Sequence, residues 1–73
     1  MLEPDSVREI VCKYIKEHKN ASDISVITIE KKDNLWIVHG TCPIDLEGHP
    51  WRESFKVEVD QKGKIQTSRF RLL

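Results

Sequence analysis

The stretch F-K-V-E-V-D-Q-K-G-K-I, Phe55 to Ile65, decides the fold of this chain. Phe55, Val57 and Val59 alternate with Lys56, Glu58 and Asp60, the period-two pattern of a strand with one apolar and one polar face. Asp60-Gln61-Lys62-Gly63 then reads as a short turn. Gly63 stands where the backbone needs a positive φ, as in a hairpin loop closed by a bulge. In such a loop Asp60 pairs with Lys64, so Val59 and Ile65 share a face.

Working outward, Ile65 to Leu72 is the return strand. It alternates poorly, and a bulge near Thr67–Arg69 is expected to bring Phe70 back to the core side. Upstream, Ile24 to Lys32 is rich in β-branched residues. Asp33-Asn34 is a two-residue turn, and Leu35 to Cys42 returns until Pro43 withholds a ladder donor. This register puts Ile27, Ile29, Trp36 and Val38 on one face, with Phe55, Val57, Val59 and Ile65. It leaves Val26, Leu35 and Ile37 on the other face, beside His39. Pro43 to Pro50 reads as a connection too long for a tight hairpin, with Ile44 and Leu46 tucked under the sheet edge. Trp51 begins the third strand, either as a lid over the helix end or as a half-exposed anchor for a partner.

The N-terminal segment is helical. Val7, Ile10, Val11, Tyr14, Ile15 and His18 recur at i, i+3, i+4, i+7 spacing and form one stripe. Ser6-Val7-Arg8-Glu9 has the form of a capping box, and Glu3-Pro4-Asp5 offers an earlier start with proline in the first turn. His18 is expected to be a partly buried residue at the end of the stripe. Asn20 suits a left-handed C-cap.

A chain of 73 residues is one small domain, which buries only about 60% of its unfolded surface. Twelve Lys and Arg balance twelve Asp and Glu, so no global field draws the chain to nucleic acid or an anionic membrane. The charges are uneven: 21–50 is acidic and the segment from Trp51 onward is basic. Sheet formation is expected to make the two neighbours and neutralise them. Two cysteines, Cys12 and Cys42, are too few for a disulfide scaffold and read as free thiols. No secretory leader or membrane-length apolar run is visible, and the expected location is cytoplasmic.

Signals for chemistry are sparse. His18, His39, His49, Cys12 and Cys42 show no metal-ligand spacing. Cys42 with His39 or His49, beside Asp45 or Glu47, is the one grouping that could supply a nucleophile and a base. His39 and Cys42 point to opposite faces of a strand, however. No glycine-rich phosphate loop is present. The expectation is no catalytic residue, no cofactor and no metal.

The residues Trp36, Val38, Phe55, Val57, Val59, Asp60, Gly63 and Ile65, in a helix-then-meander order, resemble PepSY-type and cystatin-like small domains. The last hairpin, running into Ser68-Arg69-Phe70-Arg71, is also similar to the tail of gas vesicle protein O. The first resemblance implies a non-catalytic domain that binds or regulates another protein.

The chain is thus expected to be a single α+β domain spanning 1–73. One N-terminal helix (about 5–19) packs on a three- to four-stranded antiparallel meander with strands near 24–32, 35–42, 51–60 and 65–72. Its expected role is protein binding or homodimerisation, through the open face or an edge strand, with Val26, Leu35, Ile37 and Trp51 as contact residues. The alternative is weak nucleic-acid binding by Lys62, Lys64, Arg69 and Arg71.

Overall fold

The computed structural model describes residues 2–19, 21 and 23–73. Helix α1 (Pro4–Lys19) is followed by β1 (Ser25–Lys32), β2 (Leu35–Leu46), β3 (His49–Asp60) and β4 (Ile65–Leu72). The strands form one antiparallel sheet in the order β1-β2-β3-β4, an α+β arrangement with the helix on one face and the other face open. The cap read at Asn20, and Ser22 beside it, lie outside the described residues.

Helix α1 starts at the earlier of the two sites. Pro4 presets the first helical φ, and the Val7 N–H donates to the Glu3 carbonyl at 3.0 Å. Ser6 therefore lies inside the first turn instead of capping it. Val7, Val11 and Ile15 are buried, with Ile10 and Tyr14 packed beside them. The Tyr14 hydroxyl pairs with Ser68 Oγ at 2.8 Å, tying the helix to β4. His18 ends the stripe in solvent. Its ring lies on Tyr14, with centroids 4.1 Å apart. Across from the helix stand Trp36, Val38, Cys42, Phe55, Val57 and Val59, each worth roughly 1.5–3 kcal/mol if large and fully buried. Trp36 lies in this core under the ammonium of Lys31, 5.6 Å from its ring.

The last hairpin forms as its residues require. The Asp60 N–H donates to Lys64 at 2.9 Å, Gly63 has φ 85°, and Val59 pairs with Ile65. The bulge falls at Gln66, where Glu58 opposes Thr67 and Val59 opposes Ile65, and not at Thr67–Arg69. Its effect is the expected one: Phe70 faces the core, 6.4 Å from Phe55 between ring centroids. A second bulge, at Ile27, was not legible. Val26 opposes Gly40 and Thr28 opposes His39, so Val26 turns into the core and Ile27 turns out, 66% exposed. The face assignments of Val26 and Ile27 are therefore exchanged. One extra residue reverses every side chain N-terminal to it relative to the simple alternation.

The connection between β2 and β3 is the larger correction. Instead of a long loop over 43–50, both strands run on to a two-residue turn at Glu47-Gly48, closed by the Leu46–His49 pair. Both turn residues have positive φ, 50° and 85°, as the turn suited to strand twist demands. Glu47 is an unusual residue there, which hid the hairpin, and two prolines read as stops. Pro43 opposes Arg52 and Pro50 opposes Asp45. The Arg52 carbonyl accepts from Leu73, on the β4 side, at 3.0 Å. These are accordingly the pairs that exchange no bonds across the hairpin, and each proline turns its missing N–H to an outer edge. β1 reaches only Thr41 and β4 only Glu53. Residues 43–52 therefore project as a two-stranded arm. The molecule measures 41 × 18 × 17 Å, its long axis set by strands of about 3.3 Å per residue. Ile44 and Leu46 belong to this arm, and Leu46 is 39% exposed.

At the sheet's centre Gly40 is required by contact. A Cβ there would lie 2.2 Å from the Ser25 carbonyl oxygen and 2.5 Å from the Phe55 ring. Gly40→Ala is expected to cost about 3 kcal/mol, the upper end for overpacking, read as a fall in the urea midpoint. An unchanged midpoint would mean the strands can part at no cost.

Asp60 is the pH-sensitive element of the last turn. Its Oδ1 accepts from the N–H groups of Lys62 and Lys64 at 2.8 and 2.9 Å, and its Oδ2 accepts from Gln66 at 2.8 Å. These donors, the Lys64 N–H foremost, hold the carboxyl below its ordinary 3.8. A carboxylate whose pKa falls on folding adds stability that is full above the unfolded value and is lost as pH drops through the folded one. Asp60→Asn should therefore lower stability at neutral pH and flatten the loss on acidification below 3.8. Parallel pH profiles of the urea midpoint for the two proteins would contradict this.

Candidate binding face of the sheet

The register sorts the open face into rows. Near the Asp33 turn, Lys32, Leu35 and Asp60 stand side by side, followed by Glu30, Ile37, Glu58 and Thr67. The Glu58 carboxylate accepts from the Thr67 hydroxyl. The next row is Thr28, His39, Lys56 and Arg69. After it come Ser25, Thr41, Ser54 and Arg71, and then Pro43 and Arg52. Arg52 leans over Thr41 and donates to its Oγ1 at 3.2 Å. The face is divided: acidic and apolar at one end, cationic toward the arm.

The cationic half is a shallow trough of about 820 Å³, bordered by His39, Lys56, Arg69 and Arg71, with Ile27 and Leu73 at its rim. No Asp or Glu side chain lines it. Lys56 directly opposes Arg69 across the ladder, an arrangement that disfavours folding by up to about 1 kcal/mol. The expected neutralisation between the acidic and basic segments does not occur here. Strand order places β4 against β3, with two strands between it and β1, and β2 contributes His39, Gly40 and Thr41 at this level.

The sequence-derived sets are each split by this geometry. Of the four apolar contact residues, Leu35 and Ile37 share the open face, half-buried and flanked by charges. Val26 is in the core of the opposite face, and Trp51, 50% exposed, stands on the arm. Of the four basic residues, Arg69 and Arg71 meet in the trough. Lys62 and Lys64 belong to the far turn beside Asp60. Phe70 does not sit among the arginines: it packs on the core, with Lys19 Nζ 4.3 Å over its ring. Lys56 and Arg52 are the residues sequence reasoning missed, and His39, which it placed on this face, it did not join to the basic row. Their signal was the pairing register, which Val59–Ile65 and a bulge in β4 would have exposed.

Each outer edge carries a feature that opposes strand addition. β1 has the bulge at Ile27 and β4 the bulge at Gln66, while Pro43 and Pro50 block the two edges of the arm.

On the helix side, Cys42 and Glu53 oppose each other at the base of the arm. Glu53 is 9% exposed, and Lys19 Nζ stands 3.1 Å from its Oε1 as charge partner, without the alignment of a hydrogen bond. Burial, reinforced by the Glu53 carboxylate, pushes the Cys42 thiol above its ordinary 9.0. His39 lies on the opposite face and His49 at the arm's tip, so the Cys–His grouping does not assemble. Among the described residues no three His, Cys, Asp or Glu side chains are placed to share a metal ion. No helix of the described residues is long and apolar enough to cross a membrane.

No family model, curated protein or solved structure matches the chain. The resemblance to PepSY-type and cystatin-like domains thus rests on the sequence alone, on Trp36, Val38, Phe55, Val57, Val59, Asp60, Gly63 and Ile65 in their helix-then-meander order.

The two thiols are expected to differ in reactivity. Cys42 is fully buried with a raised pKa, whereas Cys12 is half-buried on the helix flank. Titration with a disulfide reagent should label Cys12 first and Cys42 only in denaturant. Equal rates in the native protein would contradict the packing at the arm's base.

Proposed function

We propose that this chain is a non-enzymatic interaction module that receives an acidic segment of a polypeptide in the trough of its open sheet face. The observation that carries this reading is the row His39, Lys56, Arg69, with Arg71 and Arg52 beside it and no lining carboxylate side chain. Like charges set side by side cost folding energy, and an anionic partner recovers it. Arginine suits the task because its planar fork can hold a carboxylate by two bonds.

The apolar pair Leu35 and Ile37 is too small and too closely ringed by Lys32, Glu30, Glu58 and Asp60 to act as an apolar docking patch by itself. Single-stranded nucleic acid would use the same cations, but it also gains from stacking on exposed aromatic rings. Phe55 and Phe70 border the trough with their rings packed toward the core. The acidic peptide is therefore the better match.

The test is fluorescence anisotropy at low salt with labelled oligoglutamate and, separately, labelled oligothymidylate. Oligoglutamate should bind and weaken as salt rises. Binding should be lost in Arg69→Glu with Arg71→Glu and kept in Leu35→Lys with Ile37→Lys. Binding of oligothymidylate alone would transfer the trough to nucleic acid. Binding of neither probe, or loss only in the Leu35 and Ile37 variant, would overturn the proposal.

A further inference from the structure

Resting on that reading of the trough, we infer that its occupant is a second copy of this chain: the acidic tip of one molecule's arm seats in the trough of another, and the contact is returned. The tip carries what the trough lacks. Asp45 lies on the arm's open side, opposite Pro50, and Glu47 is at the apex of the turn. The trough supplies Lys56, Arg69 and Arg71.

The apolar surface divides the same way. Of the exposed large apolar residues, Leu46 and Trp51 are on the arm, on its helix side; Ile27 and Leu73 rim the trough, and Leu72 ends β4 outside both. The two places carry opposite charges, and each has exposed apolar residues beside it. Such a surface is self-complementary, and a two-fold pair satisfies both places at once.

The tip cannot reach its own trough. Thr41 to Leu46 is unbroken ladder, about 17 Å of extended strand leading away from it. Pro43 and Pro50 block the arm's edges to strand pairing, so the arm engages by its tip and faces. Glu47 adds a further pointer. It holds a left-handed φ of 50°, where Asn or Gly would cost about 1–2 kcal/mol less. The apex thus presents a carboxylate at a conformational cost.

Sedimentation velocity over a concentration series at low salt tests this. Wild type should pass from monomer to dimer, and the association should weaken with salt. Asp45→Lys with Glu47→Lys, and separately Arg69→Glu with Arg71→Glu, should each raise the dissociation constant at least about tenfold. Far-UV circular dichroism establishes that each variant is folded. Mixed in equal amounts, the two should form a heterodimer, because both contacts are then complementary again. Glu47→Asn should associate more weakly while unfolding at a higher urea concentration, which separates the interface from the fold. A wild type that stays monomeric while oligoglutamate still binds would overturn the self-contact and leave the proposed function standing. A monomer that also fails to bind oligoglutamate would sink both. A dimer that survives both charge reversals, or a mixture of folded variants that does not pair, would likewise overturn the inference.

Discussion

The missing side chain at Gly40 is the constraint on which this structure depends. The Ser25 carbonyl and the ring of Phe55 both occupy space that any Cβ would claim. The Phe55 ring thereby covers the middle of the sheet on the helix side and meets Phe70 from β4. Ser25 is held against β2 beside the point where the bulge at Ile27 reverses the alternation of β1. Core packing, the entry of β1 and the floor of the trough are thus coupled through one position.

Around that centre the molecule has two unlike ends. The helix covers the sheet from Trp36 to Cys42, and the Lys19–Glu53 pair closes the cover where the arm begins. Beyond it the chain continues as a two-stranded hairpin with an unbroken ladder and edges closed by proline, its base bordering a hollow shared with Lys19 and Ala21. The radius of gyration, 12.2 Å, exceeds the roughly 11 Å expected of a compact chain this long. The excess is the arm.

Function, on the proposed reading, arises from where the charges are left unpaired. Asp60 and Glu58 are committed to local partners in the last hairpin, through Lys62, Lys64, Gln66 and Thr67. Lys19 is committed to Glu53 and the Phe70 ring. Lys56, Arg69 and Arg71 have no acidic side chain across the ladder. A chain neutral in total can therefore present a basic trough and an acidic tip without a net field to betray either.

The sequence by itself determined the elements whose signals are local. The Val7–Ile15 stripe has helical period. Phe55–Val59 alternates, and Asp60 to Gly63 contains both the carboxylate that accepts the turn's N–H groups and the glycine its backbone needs. Tertiary structure alone decided the rest. Whether Val26 or Ile27 faces the core depends on a bulge that no residue announces, because it answers to Gly40 on the neighbouring strand. Whether Pro43 ends a strand depends on which edge its nitrogen faces, and that follows from pairing with Arg52. The trough depends on three strands arriving in one register, with His39, Lys56 and Arg69 far apart in the chain and adjacent only across the ladder. Alternation is a property of one strand, whereas register and face are properties of pairs.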